Sequence, residues 1–172
     1  TIDVDTGIIN NTGTGIDGTN NGLGDFLNIT DVELTNIGST GVDVQQDTTL
    51  QIDGVSIDGT SSADGVNVNA ATDTDIVGAT INNTDYGVDA QGTNNHFNVS
   101  NTEITNSGSD AVRVQDSGSN TGTFRINEGT TIDRASGNGI NIDSLDDTGD
   151  AVEIDNVVIN GTAQAVRFND GT

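Results

Sequence analysis

The sequence repeats one unit of about 23 to 28 residues seven times, and this repeat limits the possible folds more than any other feature. Each copy carries four apolar positions in the same order, which are Ile29, Leu34, Val42 and Val44 in the second copy. The second of these positions holds Ile9, Leu34, Ile57, Ile81, Ile104, Ile132 and Ile159 in the seven copies. A fixed period in this range is typical of a solenoid, in which each repeat packs on its neighbours. We therefore expect one rod-like repeat domain over residues 1–172.

Apolar and polar residues alternate within each copy, which is the period of a β-strand. The copy at 50–68 contains three such runs, with the apolar pairs Leu50 and Ile52, Val55 and Ile57, and Val66 and Val68. Turns rich in Gly, Asn, Asp, Thr and Ser separate the runs. Three short strands per coil predict an all-β, parallel β-helix solenoid, and the coil length suits the right-handed type better than the left-handed hexapeptide type.

Composition agrees with a solenoid and argues against an ordinary globular core, because only 31% of the residues are hydrophobic and 3% aromatic. A β-helix needs only a thin inner stack of small aliphatic side chains. Low hydrophobicity with a net charge of −23 is also the signature of disorder. The register of Val and Ile across seven copies favours the folded alternative.

The strongly negative net charge and the absence of certain residue types exclude several classes of function. The chain has no Cys, so disulfides and thiolate metal sites are excluded. A surface this acidic repels nucleic acids, and no apolar run is long enough for a membrane helix. The chain starts with Thr, lacks a signal peptide and shows no capping repeat, so we expect a segment excised from a larger protein.

Two further columns mark the turns. After the middle strand of each copy stand Asn11, Asn36, Gly59, Asn83, Asn106, Arg134 and Gly161, and before the last strand stand Gly15, Gly41, Gly65, Gly87, Ala111, Gly139 and Ala165. Asn and Gly enter left-handed backbone conformations at low cost, which a sharp bend between strands requires. We interpret both columns as structural.

With these columns the chain resembles right-handed parallel β-helix proteins, and its Asn column is similar to the asparagine ladder of the pectate lyase-like group. The resemblance covers the whole chain and implies the fold. That group contains polysaccharide lyases and hydrolases, phage tailspikes and bacterial surface adhesins, including autotransporter passengers. The resemblance therefore leaves the function open.

Catalytic residues of the related enzymes are poorly matched. Asn83-Thr84-Asp85 is similar to the Asn-Thr-Asp of pectin hydrolases, but it falls on a predicted bend. The chain contains one His and no Lys. Asp89 and Arg113, outward in adjacent coils, fit either a catalytic arrangement or a surface ion pair, and we favour the ion pair. We expect no catalysis and no required cofactor.

Calcium is the cation that the acidic positions would suit, because it prefers carboxylate and carbonyl oxygens. The outward face of the third strand reads Asp17, Asp43, Asn67, Asp89, Arg113, Asn141, Arg167. Stacked carboxylates at its start repel unless a cation intervenes. The candidate metal ligands are Asp17, Asp43, Asp143, Asp146, Asp147 and Asp150, although no calcium motif is complete.

The sequence predicts a structural or adhesive stalk segment of a large secreted or cell-surface bacterial protein. Surface glycans, or the surface of a host or neighbouring cell, are the expected partners, and the fragment itself is expected to be a monomer without nucleic acid or a membrane span. The alternative is a polysaccharide-active β-helix enzyme, or part of one. An ice-binding solenoid is disfavoured, because the Thr-x-Thr pairs at 12–14, 72–74 and 121–123 do not share one register position.

Overall fold

A computed structural model describes residues 1–18, 25–45, 49–71, 73–92, 96–115, 122–143 and 151–169. Within these residues the chain forms a parallel β-helix, in which each of the five later coils contributes three short strands and each of the first two contributes one long and one short strand. The third strand of every coil joins a seven-stranded parallel sheet, here called the third face. Its strands are β2 (Thr14–Gly18), β4 (Thr40–Gln45), β7 (Asp64–Asn69), β10 (Val88–Gln91), β13 (Val112–Gln115), β16 (Asn138–Asp143) and β19 (Gln164–Asn169).

The first and second strands of the coils form the other sheet, which has 12 strands in the described part of the chain. In the first two coils one strand, β1 (Ile2–Asn10) or β3 (Phe26–Ile37), runs through both positions. The first face continues with β5 (Thr49–Asp53), β8 (Asp73–Val77), β11 (His96–Ser100), β14 (Thr123–Asn127) and β17 (Ala151–Ile154). The second face continues with β6 (Ser56–Gly59), β9 (Thr80–Asn82), β12 (Glu103–Thr105), β15 (Thr131–Asp133) and β18 (Val158–Asn160).

The strand register confirms the repeat that the sequence predicts. Leu34 pairs with Ile57, and Ile57 with Ile81, so equivalent apolar residues lie directly above one another. The inward side chains of the five inner coils are almost wholly buried, as Val66 and Ile81 at 0% exposure illustrate. β-branched residues suit this pleated and close-packed interior. The alternation of inward and outward residues therefore fixes which side chains reach the surface.

Left-handed backbone residues make the bends, as the Asn column predicts. Positive φ angles occur at Asn11, Asn36, Asn83, Asn106, Arg134 and Gly161. The prediction is wrong at Gly59, where the pairing with β3 shifts by one residue and Asn36 alone is left-handed. A second left-handed column, between the first and second strands, was not predicted and contains Thr6, Asp31, Gly54, Gly78, Asn101, Glu128, Gly129 and Asn156. Its residue types are mixed, so no repeated residue in the sequence marks it.

The glycine column before the third strand lies where neighbouring coils approach most closely. A Cβ atom on Gly41 would lie 2.5 Å from the carbonyl oxygen of Gly65, and one on Gly15 would lie 2.6 Å from that of Gly41. Real Cβ atoms do not approach a backbone oxygen so closely without a backbone shift. The structural interpretation of this column therefore holds, and Ala111 marks a place where the coil accommodates one methyl group.

Two features complete the architecture. Phe97 and Phe124 contact each other across adjacent coils in a tilted arrangement, with ring centroids 6.4 Å apart and planes at 44°. The part of the chain that the structure describes contains no helix with the length and apolar character to cross a membrane.

Candidate functional site

Within the described residues, the densest group of charged and polar contacts surrounds an ion pair on the outward surface of the third face. Asp89 of β10 lies in register with Arg113 of β13. Arg113 donates from Nε to Asp89 Oδ1 at 2.7 Å and from Nη2 to Asp89 Oδ2. The ion pair favoured by the sequence is therefore present, but the side chains are only 2% and 19% exposed for Asp89 and Arg113, so it is more buried than an ordinary surface pair. This bidentate geometry is the strongest form of an Arg–carboxylate contact.

Tyr86 and Gln91 account for this burial. The guanidinium carbon of Arg113 lies 3.9 Å from the centre of the Tyr86 ring, and Arg113 Nη1 donates to Tyr86 Oη at 3.1 Å. Gln91 Nε2 donates to Asp89 Oδ2 at 2.5 Å. The hydrogen bond to Asp89 raises the pKa of the Arg113 guanidinium, and burial opposes that rise. The arginine is therefore a fixed cation, held by a carboxylate and an aromatic face.

Asp64 belongs to the same group, and we call Asp64, Tyr86, Asp89 and Arg113 the third-face cluster. The Asp64 carboxylate accepts a hydrogen bond from the Tyr86 backbone N–H at 3.4 Å. Burial raises the pKa of Asp64 from 3.8 to about 6, and repulsion from Asp89 and Asp85 adds to it, while the Tyr86 N–H and Arg113 oppose it. A half-buried carboxyl that titrates near neutral pH is a group able to exchange a proton there.

The raised pKa of Asp64 predicts a pH effect of unusual sign. The folded state keeps a proton that the unfolded chain releases near its ordinary pKa of 3.8, so this contribution to stability is complete at lower pH and is lost as pH rises through about 6. We expect Asp64→Asn to raise the unfolding temperature at about pH 8 and to leave it nearly unchanged at about pH 4. Melting curves followed by circular dichroism across this range measure the effect.

Glu33→Gln is the control for this comparison, because Glu33 is an exposed carboxylate on the second face and belongs to no such cluster. The difference in unfolding temperature between this control and the unmodified protein should be the same at both pH values. Parallel pH profiles for the unmodified protein and Asp64→Asn would contradict the assignment.

Asp110 extends the polar network toward the following coil. It accepts hydrogen bonds from the Asn138 backbone N–H at 2.6 Å, from Asn138 Nδ2 at 2.8 Å and from Asn141 Nδ2 at 2.9 Å. Its side chain is buried, at 8% exposure. These three hydrogen bonds join Asp110 to the following coil and hold the two coils together. We interpret Asp110 as structural.

The sequence did not single out Asp64, Tyr86 or Asp110, although a signal for them exists. Each stands immediately before a residue of the glycine column. Backbone hydrogen bonds link this part of one coil to the same part of the next, as between the Gly65 N–H and the Tyr86 carbonyl. An alignment of the repeats shows that the position before the glycine column holds a carboxyl or phenol side chain in three consecutive copies. Their burial does not follow from the alignment, because it depends on how Tyr86 and Arg113 pack.

Elsewhere five outward carboxylates each accept a hydrogen bond from an amide one coil further along the axis. We call this arrangement the amide ladder, and its contacts are Asn28 to Asp3 (3.4 Å), Asn67 to Asp43 (3.0 Å), Asn82 to Asp58 (3.2 Å), Asn98 to Asp75 (3.2 Å) and Asn169 to Asp143 (2.9 Å). In each contact the side-chain Nδ2 donates to a carboxylate oxygen. A neutral donor in the next coil replaces a like-charge contact with a hydrogen bond.

The candidate metal ligands are only partly brought together. Asp17 and Asp43 are adjacent in register, and burial raises the pKa of Asp43, with the nearby Asp17 charge adding to the rise and Asn67 opposing it. Asp143 lies far along the axis, at the end of β16. Asp146, Asp147 and Asp150 lie outside the described residues. Among the residues with described positions, no three His, Asp or Glu side chains form a group suited to a metal ion.

The motif that is similar to that of pectin hydrolases lies on a bend, as predicted. Asn83 has a φ of 54°, and Asn83 Nδ2 donates to Asp58 Oδ1 at 2.8 Å. Ser109 Oγ donates to Asp85 Oδ1 at 2.6 Å. His96 lies 3.7 Å from Asp75 on the first face. These side chains make contacts between coils, and the third-face cluster remains the better candidate for chemistry.

No protein-family model, no curated protein and no solved structure matches this chain. The parallel β-helix fold is therefore shown, whereas the comparisons do not support membership of the pectate lyase-like group. The fold is established from the geometry, and the function has to be argued from the residues of this chain.

Proposed function

We propose that the chain is a structural spacer, a stiff stalk segment of a large secreted or cell-surface bacterial protein that acts without catalysis of its own. In this proposal the outward columns are available for adhesive contacts with surface glycans or with a host or neighbouring cell. Seven coils at about 4.8 Å per coil give a rod of roughly 30 Å, so each segment adds a short and fixed length.

The amide ladder is the observation that carries this proposal. Its five hydrogen bonds are distributed over all three faces, and each joins one coil to the next, from Asn28 and Asp3 in the first coils to Asn169 and Asp143 in the last. Because these side chains form hydrogen bonds to the next coil, they stiffen the stack. They lie along its surface and do not converge on one pocket. The same contacts keep a strongly acidic surface compatible with close coil stacking, which suits a soluble rod.

Pulling single molecules with optical tweezers, with the segment held between two handle domains, tests the spacer function. A spacer is expected to stay at constant length and then to unfold in discrete steps at high force. Gradual extension at low force, as a disordered chain shows, would refute the proposal. Beads coated with the segment, tested on immobilised glycans, test the adhesive contacts separately.

Calcium binding at the stacked carboxylates of the third face is a separate part of the proposal and is tested separately. Asp17 and Asp43 offer two adjacent carboxylates, and further oxygens are needed to reach the 6–8 that calcium takes. We expect millimolar calcium to raise the unfolding force and the melting temperature, and chelator or matched sodium not to do so. Asp17→Asn with Asp43→Asn should abolish the difference. Equal values with calcium and with chelator would remove the metal and leave the spacer intact.

A polysaccharide-active enzyme is the second candidate, and the third-face cluster favours it. Asp64 offers a carboxyl with a pKa of about 6, and the fixed Arg113 cation lies in the same cluster. The test is incubation with acidic and neutral polysaccharides, followed by measurement of new reducing ends and of unsaturated products. Release of sugar ends that is lost in Asp64→Asn would support catalysis, and no release from any substrate would exclude it for those substrates.

A further inference from the structure

The negative charge of the rod is unevenly distributed among its inner coils, each of which has a stacked coil on both sides. We number the coils in chain order and compare coils 2–4, residues 25–92, with coils 5 and 6, residues 96–143. Residues 25–92 contain 12 Asp or Glu and no Lys or Arg, whereas residues 96–143 contain six Asp or Glu and three Arg. The formal charges are therefore −12 and −3. Coils 2–4 hold four times the net charge in less than twice the length.

Ion pairs do not neutralise the carboxylates of coils 2–4 from within. Among the described residues, the ion pairs are His96–Asp75, Arg113–Asp89, Arg125–Glu153 and Arg134–Asp133. None of them joins two residues of coils 2–4, and the two that reach these coils have their basic partner in coil 5. Other carboxylates of coils 2–4 accept from amides, as Asp43 does from Asn67. A neutral donor relieves a direct contact between carboxylates but leaves their charges in place.

Two carboxyl groups in this part of the rod respond to charges in an adjacent coil. Burial raises the pKa of Asp64 to about 6, and repulsion from Asp89 and Asp85 of coil 4 adds to the rise. Burial also raises the pKa of Asp43, and the charge of Asp17 in coil 1 adds to that rise. Repulsion between stacked coils is therefore present in the folded state and opposes their contact.

The range of this repulsion depends on the salt concentration. Adjacent coils are about 4.8 Å apart, so coils 2–4 lie within roughly 10 Å of one another along the axis. The Debye length is about 30 Å at 0.01 M salt and about 3 Å at 1 M. At 0.01 M the carboxylates of all three coils therefore repel one another, whereas at 1 M the repulsion is screened within the spacing of two coils. Unfolding separates these charges, so low salt favours the open state.

We propose that coils 2–4 are a salt-sensitive segment, which opens at low ionic strength and closes at high ionic strength while coils 5 and 6 stay folded. A solenoid permits such a difference, because each coil contacts only its neighbours and the stability is a sum over coils and their interfaces. Ionic strength then sets how much of the rod is stiff. The inference does not depend on the spacer function, because it concerns only the balance between coil stacking and charge repulsion.

Amide hydrogen exchange of the 172-residue chain, followed by mass spectrometry of its peptides at pH 7 in 0.01 M and 1 M NaCl, tests the proposal. We expect peptides from coils 2–4 to exchange at least about tenfold faster at low salt, and peptides from coils 5 and 6 to change by less than about threefold. Chelator in every sample keeps calcium out of the comparison. KCl should act like NaCl at the same concentration, because screening depends on ionic strength.

Asp31→Asn combined with Asp53→Asn reduces the charge of coils 2–4 directly. Both side chains are exposed, and Asn suits the left-handed backbone of Asp31, whose φ is 50°. We expect this variant to exchange more slowly than the unmodified protein in coils 2–4 at 0.01 M NaCl, and at the same rate at 1 M. Glu103→Gln combined with Glu128→Gln is the matched control, since it removes two exposed carboxylates from coils 5 and 6. The control should slow exchange in coils 2–4 by less.

Other outcomes overturn the proposal. Equal salt dependence in coils 2–4 and in coils 5 and 6 would mean that salt acts on the whole stack, for example by strengthening apolar contacts. Exchange in coils 2–4 that does not change with salt would mean that repulsion between their carboxylates is too weak to open them. Protection by NaCl but not by KCl would indicate a bound ion instead of screening. Equal effects of the two pairs of substitutions would mean that only the total charge of the chain matters.

Discussion

Ile81→Asp is expected to abolish the folded state of the central coils. Ile81 is 0% exposed and lies between Ile57 and Ile104 of the adjacent coils. The substitution removes about 1.5–3 kcal/mol of apolar burial. It also places a carboxylate where no partner exists, at a further cost of several kcal/mol. Because whole domains have a stability of only about 5–15 kcal/mol, this loss is comparable to the total.

Circular dichroism and limited proteolysis measure the result of Ile81→Asp. In a solenoid, stability is a sum over coils and their interfaces, so cleavage should begin in the coils around position 81. Thr80→Asp is the matched control, because Thr80 is the exposed neighbour of Ile81 in the same strand. The control should melt within about 1 kcal/mol of the unmodified protein. Equal stability of both variants would show that position 81 is not in the core.

Arg113→Met is expected to cost about 3–5 kcal/mol of unfolding free energy, because it leaves the buried Asp89 carboxylate without its cation. The contact between the guanidinium and the Tyr86 ring is lost as well. Adding Asp89→Asn to the same chain should recover most of the loss, since the unpaired buried charge is then gone. Urea titration followed by circular dichroism gives the free energies.

The control for Arg113→Met is Arg134→Met. Arg134 also contacts a carboxylate, Asp133, but the two side chains are 66% and 44% exposed. Exposed pairs of this kind contribute about 0–1 kcal/mol. If both arginine variants lose the same small amount of stability, the Asp89–Arg113 pair behaves as a surface ion pair, and the burial argued here is wrong.

Much of the fold could be predicted from the sequence, because a solenoid repeats one local arrangement. The period gives the coil, the alternation gives the inward face, and the positions of Asn83 and Asn106 give a left-handed bend. The prediction failed at Gly59, because the strand pairing shifts by one residue next to Asn36 and Gly59 does not become left-handed. The candidate site was predicted only in part, because adjacency of Asp89 and Arg113 follows from register whereas their burial follows from the packing of Tyr86.

By itself the sequence determined the parallel β-helix and the columns that run along it, because residues at one repeat position must share one environment when identical coils stack. Only the tertiary structure decided what happens between different columns. It showed that Asp64 is half buried near Asp89, so that burial raises its pKa and the Asp89 charge adds to the rise. These properties depend on distances across turns, and a one-dimensional repeat does not contain that information.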